Sequence, residues 1–150
     1  MNKTRGVKRT VRHERIVNNE PKLFALFDVG SVSHQGDLII VAIPSLPKSS
    51  KPRKNRQLAE GESQGSRHIL ERGEVFDADP EETAALIAKA TGCLVEAKYI
   101  GPVFRSPSNP TAHDLSHPEH GAQGFPSGSL CAIVYQRNLD QDLREQRVVD

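Results

Sequence analysis

His113, His117 and His120 fall within eight residues of one another, with Asp114 and Glu119 between them. Imidazole nitrogens and carboxylate oxygens at this spacing are the donors that zinc, iron or manganese takes, and an irregular loop can fold so that three of them converge. His68 would add a ligand from a distant segment, and His34 is a further candidate. On this reading the cofactor is a divalent transition metal. The spacing lacks the HExxH register of a helical zinc site, and Pro118 interrupts any regular helix through the loop. The bland alternative is a polar surface loop whose histidines hydrogen-bond the loop to itself.

Other catalytic arrangements find less support. Gly61-Glu-Ser-Gln-Gly65 has the spelling of a nucleophile elbow, but the residues after Gly65 read as extended where that motif needs a helix. No phosphate-binding glycine loop follows a strand, and no catalytic residues are assigned. Cys93 and Cys131 lie inside apolar runs, not in a CxxC pair, and read as buried free thiols.

Charge is the second feature. The net value is only +1, so the whole-chain balance makes no case for nucleic acid. The distribution is nonetheless uneven. Lys3, Arg5, Lys8, Arg9, Arg12 and Arg15 load residues 1–20, and Lys48, Lys51, Arg53, Lys54 and Arg56 fill a proline-containing stretch without an acid. These are the candidate contacts for an anionic or protein partner. The alternative is a solvated tail and a solvated loop, and the absence of an aromatic in the loop weakens a single-stranded nucleic acid reading.

The elements that must hold these groups follow from periodicity. Asp37 to Pro44, rich in β-branched residues, reads as a central strand, and Leu130 to Gln136 as another behind the histidine loop. Leu23 to Val29 reads as a buried strand, with a short helix as alternative. Gln57 to Glu62 and His68 to Phe76 form a hairpin across a long turn. Asp79 as N-cap, Pro80 at the first position, Glu81 and Glu82 in the first turn and Gly92 as terminator define a helix over 80–91. Its stripe of Thr83, Leu86, Ile87 and Ala90 suits a helix laid on a sheet. Cys93 to Ile100 reads as a strand. Gly101 to Pro110 reads as a loop or edge because three prolines deny the ladder its donors. Residues 139–147 suit a short charged helix.

The fold expectation is α+β: a mostly antiparallel, β-rich, barrel-like or rolled sheet with one principal helix. A basic arm over 1–20 precedes a single domain over 21–150.

Three blocks also carry a family likeness: His34-Gln-Gly-Asp-Leu-Ile-Ile-Val41, Leu58-Ala-Glu-Gly-Glu-Ser-Gln-Gly65 followed by His68, and Leu115-Ser-His-Pro-Glu-His-Gly121 leading to Phe125-Pro-Ser-Gly and Tyr135-Gln-Arg. In this order they resemble a group of small, functionally uncharacterised bacterial and phage-associated proteins. That group has a QGD strand, an A-E-G-E-x-x-G-H-x-H turn and an H-x-E-H-G loop before a strand ending in Q-R. Here Ser66-Arg67-His68 stands where the group has its paired histidines. Gly121 to Gly128 is similar to the second motif of cupin barrels, with Cys131 near the place of that motif's histidine.

The expected function is a non-enzymatic binding or assembly protein, engaging a protein partner, a second copy of itself or an anionic partner through the basic segments. The alternatives are a metal-binding protein or metal-dependent enzyme using His113, His117, His120 and His68, and a nucleic-acid-binding protein. No apolar run is long enough for a membrane span, and the expected location is cytoplasmic or virion-associated.

Overall fold

A computed structural model of the chain describes residues 20–59 and 67–136. The basic arm, the Gly61–Gly65 elbow spelling and the expected helix over 139–147 lie outside the described residues.

Two strands set the architecture. β3 (Leu38–Ala42) and β10 (Leu130–Tyr135) pair antiparallel from Cys131 opposite Ala42 to Tyr135 opposite Leu38. Alternation along them sends side chains to two different cores. Leu38, Ile40 and Ala42 face one side with Cys131 and Ile133. Val41, Ala132 and Val134 face the other. A strand apolar on both faces must be covered on both, and the rest of the chain supplies the covers.

Among the described residues the large sheet has six strands in the order β2 (Val32–Gln35), β3, β10, β7 (Ile100–Arg105), β6 (Glu74–Asp77) and β4 (Lys51–Arg53), with every pairing antiparallel. One face is covered by helix α1 (Pro80–Thr91), which buries Thr83 and Ile87. Its N-cap Asp79 accepts a hydrogen bond from Glu82 N, and Gly92 closes it in the left-handed conformation at φ 80. The other face is covered by a small sheet in the order β1 (Lys22–Leu23), β9 (Gln123–Gly124), β8 (Leu115–Ser116) and β5 (Ile69–Leu70). Between the sheets lie Leu58, Leu70, Phe104, Leu115 and Phe125, each nearly inaccessible to solvent. The α+β class is as expected, whereas the two sheets do not close into a barrel, so the likeness to cupins does not extend to architecture.

Several local expectations are corrected. Leu23 to Val29 is not a buried strand: only Lys22–Leu23 pairs, and the chain then runs irregularly. Phe24 and Phe27 turn inward onto Phe125, at centroid distances of 5.3 and 4.8 Å, which leaves Leu26 and Val29 outside. Cys93 to Glu96 is irregular and leads to a 3-10 turn over Ala97–Tyr99, and Cys93 is exposed. Cys131 is buried as expected, and burial pushes its thiol pKa up.

The region expected as an edge because of its prolines contains the inner strand β7. Val134 faces Ile100 and Ala132 faces Val103, so β7 carries one residue more than β10 over this interval. That extra residue is a β-bulge at Gly101-Pro102, where a missing donor costs the ladder little. The bulge also lets Ile100 and Val103 both face the helix.

Gly124 shows how closely the small sheet is seated. A Cβ there would fall onto the main-chain carbonyl oxygen of Thr111 and within 3.0 Å of Leu23 Cδ1. Backbone cannot swing aside as a side chain can, so Gly124→Ala is expected to lower stability by about 1–3 kcal/mol. Urea denaturation of the two proteins side by side measures this.

Candidate functional site

The hairpin β2–β3 turns through two residues, Gly36 and Asp37, with Gly36 at φ 61. Glycine at the first central position is what a tight two-residue hairpin favours. The turn places Gln35 on the inner face of the sheet, where it is buried, and leaves Asp37 partly exposed beside it.

Gln35 organises what surrounds it. Its Nε2 donates to Leu115 O and Gly121 O, both at 3.0 Å. Two carbonyl acceptors require the amide nitrogen on that side, so Oε1 must point the other way. There it meets His68 Nδ1 at 2.8 Å. An amide oxygen only accepts, so His68 Nδ1 carries the ring proton and Nε2 presents a lone pair.

His68 is completely buried, and among the described residues its Nε2 has no hydrogen-bond partner. That nitrogen faces Asp37 Oδ1 at 3.6 Å, within ion-pair reach but beyond a hydrogen bond. Burial pushes the pKa of His68 down from 6.5 to about 4, the charge of His117 adds to the fall, and Asp37 opposes it. At neutral pH a buried lone pair therefore looks towards a carboxylate.

His117 and His120 continue from His68 as a row of rings, at centroid distances of 4.4 and 4.6 Å. The loop that carries them is fixed at its base. Buried Asp114 accepts from Thr111 N at 2.9 Å and Thr111 Oγ1 at 2.8 Å, and it pairs with Arg72 at 3.2 Å. His117 Nδ1 accepts from the N–H groups of Glu119 and His120 at 3.0 and 3.2 Å, so its ring proton is on Nε2. His120 is exposed, and its ring rests on Gly36, where a Cβ would lie 2.7 Å from its Nε2.

Three of the four histidines proposed as ligands are thus brought into one row, while His113 sits in the exposed turn before Asp114, its N–H donating to Thr111 Oγ1. Among the described residues, no group of three or more His, Cys, Asp or Glu side chains is arranged to hold a metal ion. Gln35 and Asp37 were not among the sequence candidates. The sequence suggests a turn over Ser31 to Gly36, whereas Val32–Gln35 is strand β2 and only Gly36 and Asp37 turn, so nothing in the spacing connected Gln35 or Asp37 with His68.

The basic segment 48–56 is more structured than a free loop. Lys51–Arg53 forms the edge strand β4. Arg53 pairs with Asp77 at 2.9 Å and donates to Asn55 O and Gln57 O, and Arg56 donates to Leu70 O and Gly73 O. Lys48 N and Ser49 N donate to Glu82, whose carboxyl is held below its usual range chiefly by the Ser49 hydroxyl. The residues Lys48, Lys51 and Lys54 are exposed. The arm residues Lys3, Arg5, Lys8, Arg9 and Arg12 lie outside the described residues.

The fold and site define a two-sheet α+β protein with a helix on one face and a polar, histidine-bearing seam between the sheets. The family model for a domain of unknown function, DUF8820, matches residues 34–135, and the chain belongs to that family. The matched span takes in Gln35, Asp37, His68, His117 and His120. No curated protein and no solved structure matches the chain.

The site makes stability depend on pH. The folded-state pKa of His68 lies below its ordinary value, so between about 4 and 6.5 the unfolded chain binds the proton more readily. The contribution of neutral His68 is therefore complete above 6.5 and falls as pH drops towards 4. Thermal unfolding across this range is expected to show a midpoint that declines below pH 6.5, and His68→Gln is expected to make the decline shallower.

Proposed function

We propose that this chain is a non-enzymatic assembly protein, and that it pairs with a second copy of itself along the β2 edge. One observation carries the reading. Leu23, Leu26, Val29 and Val32 are 46%, 78%, 56% and 49% exposed along the stretch that leaves the small sheet and enters β2. Lone exposed apolar residues are ordinary, but four large ones in one short run beside a sheet edge are what a contact surface needs.

The two edges of the large sheet differ in protection. β4 carries Lys51 and Pro52, the residues that blunt an edge against further pairing. β2 has neither lysine nor proline, and one of its carbonyls, that of His34, is taken by Gln123 Nε2. An antiparallel pairing of two β2 strands about a twofold axis places the same apolar side chains on both sides, so the surface is its own complement. The exposed Lys48, Lys51 and Lys54 are at the other edge, where they favour an anionic neighbour without competing for this contact. Arg53 and Arg56 are engaged by internal acceptors, which weighs against a nucleic acid partner. A bacterial or phage-associated setting, cytoplasmic or in a virion, suits a small protein of this kind.

Sedimentation equilibrium of the full chain tests the reading. The wild type is expected to dimerise at micromolar concentration. Each Leu or Val removed from water contributes about 1.5–3 kcal/mol, so Leu26→Lys with Val29→Lys is expected to weaken association about 100-fold or more. A wild type that stays monomeric would remove the proposal. Dissociation by Lys51→Glu with Lys54→Glu, with no effect of the apolar pair, would move the contact to the basic edge.

A further inference from the structure

We infer that the contact between two copies does not stop at the β2 edge but extends over the C-terminal end of helix α1, where the partner covers Cys93 and Leu94. The extension rests on the self-association proposed above, and it brings in a second element from a distant part of the chain.

The direction of β2 side chains opens the way. Val32 stands opposite Val41, so the two share a face of the sheet, and Val41 belongs to the core beneath the helix. The helix packs over β3 and β7 and leaves Val32 49% exposed on that face. A ledge therefore runs along β2 beside the helix.

Gly30 joins this ledge to the helix end. A Cβ on Gly30 would lie 2.7 Å from the carbonyl oxygen of Ala90, in the last helical turn, so the main chain next to Val29 rests on the end of the helix. Beyond it Gly92 turns the chain away in the left-handed conformation. Val95 packs against the helix-side core, while Cys93 stays exposed and Leu94 is 91% exposed.

An exposed leucine by itself is ordinary. The setting of this one is not. Neither Val29-Gly-Ser-Val32 nor Ala90-Thr-Gly-Cys-Leu94 holds a charged residue, in a chain that is 26% charged. Asp28, Lys89, Glu96 and Lys98, all exposed, stand on either side of these two segments. Loss of charge in the middle and its retention around the border is the composition of a protein interface.

Size points the same way. A stable pairing covers about 800 Å² on each partner, drawn from roughly 20–30 residues. Strand β2 has four residues and its approach adds three of the exposed apolar side chains, which is too little alone. The occupant that fits is a second copy. A twofold axis through two antiparallel β2 strands continues the sheet from one copy into the other and keeps both helices on the same face. The trough above the paired strands is then floored by Val32 of each copy, and Leu94 of each fills it.

The native thiols provide the test, because Cys93 is exposed and Cys131 buried. The full chain is labelled with dithiobis(nitrobenzoic acid) below and above the dimerisation midpoint found by sedimentation equilibrium. The rate constant for Cys93 is expected to fall about tenfold or more as the dimer forms, since thiol exchange depends on access. Leu94→Lys is expected to weaken association about tenfold or more, with thermal unfolding at low concentration unchanged. A wild type that dimerises while Cys93 reacts at the monomer's rate, or a Leu94→Lys variant that dimerises as tightly as the wild type, would overturn the extension and leave pairing at β2 standing. A wild type that stays monomeric at every concentration would overturn both.

Discussion

The constraint on which everything else depends is that β3 and β10 are apolar on both faces. A strand pair of this kind cannot rest on one neighbour. Ile40 and Ile133 require a cover on one side while Val41 and Val134 require another. The helix Pro80–Thr91 meets the second need with a single buried stripe. The first is met by a sheet whose strands are only two residues long, too short to hold together alone. That small sheet exists because Phe27, Leu70, Leu115 and Phe125 are held against the large one. Packing, not strand pairing, makes it.

At the β2 end the apolar core gives way to polar groups, and the change has a structural reason. Strand β2 turns Ser33 and Gln35 inward, where an apolar strand would have placed valine or leucine. Ser33 Oγ donates to Gln123 Oε1 of β9 at 2.7 Å, and Gln35 reaches the carbonyls of Leu115 and Gly121. These bonds join the two sheets by directional contacts, which fix register in a way that packing alone does not. They also create the place where a buried imidazole can be held in one tautomer. The candidate site is thus a by-product of how the sheets are joined, and the histidine loop is positioned by the same carbonyls that satisfy Gln35.

Sequence reasoning succeeded where one periodicity dominated. Asp37 to Pro44, Leu130 to Tyr135 and the helix with its Asp79 and Gly92 caps were all legible, because alternation and capping are local. It failed where apolar density came without a period. Leu23 to Val29 has enough apolar residues for a buried strand, but only Phe24 and Phe27 enter the core, and a spacing of three in an irregular segment has no signature. Pro102 misled for a different reason: a proline is barred from an inner strand unless a bulge absorbs it, and the bulge depends on the partner strand. The candidate site was half legible. The sequence grouped His113 with His117 and His120 because they are neighbours along the chain, whereas the fold groups His117 and His120 with His68 and Asp37.

The apolar stretch and the histidine seam flank the same strand, and this bears on how they relate. Val32 and Gln35 are both in β2, one pointing outward and one inward. A partner strand added at the β2 edge would restrain the hairpin whose turn carries Gly36 and Asp37. Restraint of that turn fixes Asp37 relative to His68, since His68 is held from the other side by Gln35. Any group bound between them would then see a stiffer site in the assembled state, and by linkage would favour assembly to the same extent. The family match begins at His34, so it includes the turn and the seam but not Leu23, Leu26, Val29 or Val32.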